Sequence, residues 1–140
     1  MADWPVFVLD SFALLAYLQD EPSASRIETL LENAKREKCR LMISVINLGE
    51  ILYITQRRGG LSTAQETLAL IQQLPIEILP AGEQAVYSAA HIKANHLLSY
   101  ADSFVVAAAI DQYAIILTND PEFESVEKIV KVEWLKEAKR

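Results

Sequence analysis

Apolar positions along this chain follow two alternating rhythms. Short unbroken runs occur at residues 6–9 (Val-Phe-Val-Leu), 41–44 (Leu-Met-Ile-Ser) and 114–118 (Ala-Ile-Ile-Leu-Thr). Runs of this kind, without polar alternation, predict strands buried on both faces. Residues 76–79, enclosed by Pro75 and Pro80, predict a short strand at a sheet edge, and residues 129–132 a last one. Between the runs the spacing turns helical. Residues 12–18 predict one helix, broken by Asp20-Glu21-Pro22. A second starts near Ser23, where Ser25 and Glu28 have capping-box spacing and Ile27, Leu30, Leu31 and Ala34 form the buried stripe. Residues 45–58 predict a third, closed by Gly59-Gly60, and Ser62 caps a fourth that runs to residue 74. Helices over 83–96 and from Ser99 through Ile110 follow, and residues 119–123 predict a turn.

This alternation predicts an α/β domain with a mostly parallel central sheet between two helical layers. The chain has 140 residues, read as a single domain over 1–140. At that length roughly 68–70% of the surface of the unfolded chain is buried on folding, so no staples are needed. The one cysteine, Cys39, excludes an intrachain disulfide framework and suits a reducing compartment. No apolar stretch approaches the ~18 residues of a membrane span, and the N-terminus lacks the features of a signal peptide. The expected location is the cytoplasm, with no membrane contact. Charge changes the picture more. A net charge of −6 disfavours holding nucleic acid by bulk electrostatics, yet a bound metal inverts the sign of an acidic pocket. Basic residues gather at 35–40 and at Arg57-Arg58. Both runs read equally as helix C-terminal charges and as contacts to phosphates.

Four carboxylates stand out by position. Asp10 and Asp120 follow predicted strands, Asp102 opens a helix, and Glu50 lies within one. In parallel sheets ligands sit beyond the carboxyl ends of the strands. Each aspartate has a local explanation: Asp10 as a helix cap, Asp102 in a capping box with Ser99, Asp120 as a cap before Pro121. Glu50 is harder to explain locally. Ile46, Tyr53 and Ile54 share its face, the macrodipole has faded that far into a helix, and an ion pair with Arg57 two turns on would hardly offset burial. Gathered together, the four acids call for a cation, because close carboxylates repel and raise each other's pKa.

Oxygen-only ligands suit Mg²⁺ or Mn²⁺. His91 and His96 stand five apart, not in the i, i+4 arrangement of zinc sites. Neutral Ser11, Asn47, Ser103 and Thr118, each within three residues of an acid, are placed to orient the ligands. The chemistry that fits is metal-assisted hydrolysis of a phosphodiester, since no activated serine or cysteine nucleophile is visible.

These segments resemble the PIN-domain nucleases, most closely the VapC-type toxins of toxin–antitoxin pairs. Val6-Phe-Val-Leu-Asp10-Ser11 matches the family's first acid after its first strand. Ser44-Val-Ile-Asn-Leu-Gly-Glu50 is similar to the segment with the second, and Tyr100-Ala-Asp102-Ser-Phe to that with the third. Thr118-Asn-Asp120-Pro-Glu122-Phe123 is similar to the family's Thr-x-Asp-x-Asp-Phe segment. The resemblance implies a three-layer α/β/α PIN-like domain and a Mg²⁺- or Mn²⁺-dependent endoribonuclease with Asp10, Glu50, Asp102 and Asp120 as catalytic metal ligands. It also implies a homodimer and a small antitoxin whose tail blocks the acidic cleft. Two residues depart from the pattern. Phe12 stands where many members carry a small polar residue. Glu122 replaces the usual aspartate and is a secondary ligand candidate.

Other α/β phosphoryl chemistries fit less well. A haloacid-dehalogenase-type phosphatase needs an acid two residues after the first aspartate, where this chain has Phe12, and a phosphate-receiver domain needs a paired first-strand acid and a late lysine that are missing. Two alternatives stay open: a non-catalytic PIN-like module docking a basic partner peptide, and a housekeeping RNA-processing nuclease of the same fold.

Overall fold

In the computed structural model, which describes residues 4–136, the apolar runs become a five-stranded sheet. The strands are β1 (Val6–Leu9), β2 (Arg40–Ser44), β3 (Ile76–Leu79), β4 (Ile115–Thr118) and β5 (Val132–Trp134). Their spatial order is β3-β2-β1-β4-β5, and every pairing is parallel. Successive strand residues point to opposite faces, so each buried strand feeds two cores. Phe7, Leu9, Leu41, Ile43 and Leu117 pack on one side. Val8, Met42 and Ile116 pack on the other.

The first core is covered by α1 (Ser11–Leu18), α2 (Ser25–Lys35), α3 (Val45–Gly59) and α4 (Leu61–Gln73). The second lies under α6 (Tyr100–Gln112), which is buried over most of its length and packs on α5 (Glu83–Asn95). That burial fits a helix that is apolar all round. The three-layer α/β/α expectation holds, and the sheet is wholly parallel among the described residues.

The strand order fixes where a ligand can sit. The chain steps from β1 outward to β2 and β3, then returns to lay β4 on the other side of β1. The reversal opens a crevice beyond the carboxyl ends of β1 and β4. Asp10 follows β1, and Asp120 lies two residues after β4.

Several local readings shift. Ser25 is the first residue of α2, preceded by a 3₁₀ turn over Pro22–Ala24, and the Ala24 cap position carries no side-chain bond, so the Ser25–Glu28 box does not form. Gly60 (φ 90°), not Ser62, sits at the cap of α4, because a glycine in the left-handed region can end α3 and start α4 without a gap. The predicted turn at 119–123 continues as a 3₁₀ helix over Pro121–Val126. The last strand is Val132–Trp134 rather than 129–132: its partner is β4, and register there is set by pairing Ile116 with Val132. Cys39 is buried and donates to the Leu30 carbonyl at 3.4 Å, a packing role.

Candidate active site

The site is built where the N-termini of α1, α3 and α6 meet the ends of β1 and β4. Asp10 leaves β1 in extended conformation and caps α1, its Oδ1 accepting the Ala13 N–H at 2.8 Å. Its Oδ2 accepts the Thr118 hydroxyl at 2.5 Å. Thr118, the last residue of β4, uses the same oxygen to accept the Asp120 N–H at 3.0 Å. One hydroxyl thus ties the acid after β1 to the acid after β4. Asp120 in turn caps the 3₁₀ helix, accepting the Glu122 N–H at 2.9 Å. Asp102 sits in the first turn of α6, its N–H donating to the Ser99 hydroxyl at 3.1 Å.

Glu50 enters through a second network. Its Oε1 accepts from the Ser11 hydroxyl at 2.5 Å and from Asn47 Nδ2 at 3.3 Å. Asn47 Nδ2 also donates to the Ala101 carbonyl at 3.2 Å, and the Asn47 carbonyl lies 3.2 Å from the Ser11 hydroxyl. Asn47 is fully buried and pins three helices together, α1 through Ser11, its own α3, and α6 next to Asp102. Its Oδ1 is buried without a hydrogen-bond partner among the described residues.

Burial shapes the electrostatics. Asp10 is 1% exposed, and loss of solvation pushes its carboxyl from 3.8 to about 6. The Thr118 and Ala13 bonds pull it down, and the charges of Asp120 and Glu50 push it up further. Asp102 is raised as well, first by burial and then by the charge of Asp10, with Asp120 adding to it. A buried set of mutually repelling carboxylates with only oxygen donors fits a hard divalent cation. The tightest grouping is Asp102, Asp120 and Glu122, each offering an oxygen within 4.8 Å of the others. Glu122, the secondary candidate of the sequence, therefore stands inside the closest trio. Asp10 and Glu50 adjoin it, their oxygens already engaged by Thr118, Ala13, Ser11 and Asn47.

Other sequence candidates sort plainly. Ser11, Asn47 and Thr118 all bond an acid. Ser103 is buried, but its hydroxyl donates to the Ser99 carbonyl at 2.9 Å and bonds no acid among the described residues. Glu50 does not lie in an apolar pocket: Tyr53 on its stripe is exposed, and Arg57 forms no ion pair with Glu50 but lies 4.9 Å over the Tyr53 ring. Arg57 and Arg58 form no ion pair among the described residues, and they occupy the last turn of α3. His96 lies 3.3 Å from the Ser125 carbonyl and bonds no acid among the described residues. The Asn47–Ala101 bridge had no signal in sequence, since its partners are 54 positions apart.

The sequence profile described as the PIN domain matches residues 7–129, from β1 to the approach of β5. The chain belongs to the PIN-domain family. Solved structures agree on the fold. The PIN domain resembles a chain of VapBC2 from Rickettsia felis bound to promoter DNA, with TM-score 0.75 and 18% identity over 94% of this chain and 99% of that one. It resembles a chain of DNA-bound VapBC from Salmonella typhimurium, with TM-score 0.72 and 19% identity over 92% and 97% of the two. It also resembles VapC20 from Mycobacterium tuberculosis, a sarcin–ricin loop cleaving toxin, with TM-score 0.64 and 18% identity over 86% and 94%. Comparison with curated proteins gives no match. No helix among the described residues is long and apolar enough to cross a membrane.

Proposed function

We propose that this PIN domain is a Mg²⁺- or Mn²⁺-dependent endoribonuclease and the toxin of a toxin–antitoxin pair. The observation that carries the reading is the convergence of five acids from four chain segments, with Asp102, Asp120 and Glu122 oxygens within 4.8 Å and Asp10 and Glu50 held beside them by hydroxyl and amide donors. Asp102, Asp120 and Glu122 would hold the cation, with Asp10 and Glu50 completing its surroundings. A bound divalent cation supplies activation of water and stabilisation of charge on the attacked phosphate. Thr118 and Ser11 fix the orientation of Asp10 and Glu50, and Asn47 sets the distance between Glu50 and the start of α6.

The placement favours a polymer over a small metabolite. Asp120 is half-buried and Glu122 exposed, so the cluster opens to solvent. A groove of about 720 Å³ between α5 and α6 is lined by none of these acids. Arg57 and Arg58, unpaired among the described residues, supply phosphate contacts on the same helix as Glu50. The antitoxin rests on likeness to the VapBC complexes, the homodimer on the family resemblance of the sequence, and the cytoplasm follows from an RNA substrate.

End-mapping of total cellular RNA tests the activity, using purified protein with Mg²⁺ or Mn²⁺ beside Asp10→Asn. Discrete new ends that vanish with the variant and with chelator are expected. Folded, partner-free protein giving no ends above the variant's background would favour the binding-module alternative.

A further inference from the structure

The three acids of the tightest grouping come from two segments. Asp120 and Glu122 are fixed to each other, Asp120 capping the 3₁₀ helix through the Glu122 N–H at 2.9 Å. Asp102 arrives separately, in the first turn of α6. The loop over residues 96–99 launches that turn, the Ser99 hydroxyl accepting the Asp102 N–H and the Ser99 carbonyl accepting the Ser103 hydroxyl. For one cation to reach all three oxygens, the loop and the 3₁₀ helix must keep a set separation. Ionised carboxylates this close repel, so the acids themselves press the two segments apart.

Among the described residues, the hydrogen bonds that join the loop to the 3₁₀ helix all meet at Ser125. The His96 ring donates through Nδ1 to the Ser125 carbonyl at 3.3 Å, since a carbonyl has no proton to give. The Ser125 hydroxyl donates to the Glu122 carbonyl at 2.9 Å and reaches the Leu97 carbonyl at 3.4 Å. Ser125 thus grips the backbone of one acid and the loop that leads to another. Leu98, Phe123 and Val126 share one buried core, which keeps the two segments together. Apolar burial is non-directional, however, and leaves the fine register to the hydrogen bonds.

We propose that His96 and Ser125 are positioning residues for the metal site: they latch the entry of α6 to the 3₁₀ helix and set the distance from Asp102 to Asp120 and Glu122. The inference rests on the metal-dependent reading of the cluster and adds two residues that bond no carboxylate. A histidine beside a surface carbonyl is commonly an ordinary bond of little consequence for stability. Here the bonds lie between the two segments whose acids must meet, and no other hydrogen bond from the loop to the 3₁₀ helix occurs among the described residues. Glu122 sharpens the need. It is longer than an aspartate by one methylene, and each added torsion makes its oxygen harder to place unless the backbone beneath it is held. Groups that orient ligands change metal affinity by more than their share of stability. His96, whose spacing from His91 excludes a zinc pair, stands one layer behind the ligands.

The test uses the full chain with Mn²⁺ alone as the probe, its affinity read from the EPR signal of the free ion, beside thermal melts in chelator. His96→Ala and Ser125→Ala should each weaken Mn²⁺ binding by roughly tenfold and move the metal-free Tm by no more than about 2 °C. His96→Asn keeps an N–H donor near the Nδ1 position, and Ser125→Thr keeps the hydroxyl. Both should restore most of the affinity. His91→Ala, within α5 and outside the latch, should bind Mn²⁺ as the unaltered chain does. At saturating Mn²⁺ the alanine variants should lower kcat on a single-stranded oligoribonucleotide more than they change KM. Alanine variants that bind Mn²⁺ as tightly as the unaltered chain would overturn the proposal and leave the ribonuclease standing. Lost affinity matched by a large fall in metal-free Tm, or not restored by the conservative variants, would overturn it too and leave both residues as supports of the fold. An unaltered chain that binds Mn²⁺ but cleaves no RNA would remove the ribonuclease reading alone. One that binds no Mn²⁺ would remove the metal site, and the latch with it.

Discussion

Replacing Asp10 by asparagine should stabilise the metal-free protein. Asp10 is 1% exposed, and burial lifts its carboxyl from 3.8 to about 6. At neutral pH the group is ionised in both states, so that shift costs the fold about 3 kcal/mol relative to a neutral side chain. Asparagine keeps an oxygen for the Ala13 N–H but turns an amide toward Thr118, whose hydroxyl now donates to Asp10. Reorienting that hydroxyl costs about 1 kcal/mol. The net gain is about 2 kcal/mol, or about 6–10 °C in Tm for a domain of this size. The gain should disappear near pH 4, where Asp10 in the native protein is protonated. Mn²⁺ should reverse the order: at roughly 100 times its Kd it adds about 2.7 kcal/mol to the native protein and little to the variant. Thermal melts of both proteins at neutral and acid pH, in chelator and in Mn²⁺, check all three parts. A metal-free Asp10→Asn that melts lower than the native chain at neutral pH would refute the desolvation argument. Equal Mn²⁺ shifts in both would refute the shared site.

Three further outcomes follow from the same geometry. The folded form binds the Asp10 proton more tightly than the unfolded form, so its contribution to metal-free stability is full below pH 3.8 and lost as pH rises through about 6. Asp102, raised for the same reason, extends the decline upward, and saturating Mg²⁺ should flatten the Tm–pH curve above about pH 5. Asn47→Ala removes the bonds to Glu50 and the Ala101 carbonyl. It should cost about 1–3 kcal/mol of stability by denaturant unfolding and lower kcat more than it raises KM. Arg57→Gln with Arg58→Gln should weaken RNA binding and reduce the slope of log K against log salt by roughly 1–2. An unchanged slope would leave both as helix-end charges.

The alternative of an inert PIN-like module makes different demands on the same residues. A docking face for a basic peptide needs acids at the surface, and Glu122 would serve. It gives no reason to bury Asp10 and Asp102, where loss of solvation raises both carboxyls and the charge of Asp10 raises that of Asp102 further. Nor does it explain an Asn47 amide devoted to Glu50 and to the backbone next to Asp102. Burial of this kind is costly unless a ligand offsets it.

What the sequence determined by itself was the layering and the identity of the acids. Runs such as Val6 to Leu9 are too short and too uniformly apolar for anything but strands covered on both faces, and Asp10 and Asp120 follow such runs within two residues. Local patterns of this kind are written in neighbouring residues. The local rules failed where a competing neighbour won: Gly60 took the cap position from Ser62, and pairing with β4 moved the last strand to Val132–Trp134. Only the tertiary structure decided the strand order, because it depends on the return of the chain after β3 to the far side of β1. That return brings Thr118 to Asp10 across 108 positions and Asn47 to Ala101 across 54. It also placed Glu122 in the tightest trio while spending the Ser103 hydroxyl on Ser99. Spacing along the chain carries no record of such meetings, since a long loop costs only slightly more entropy to close than a short one.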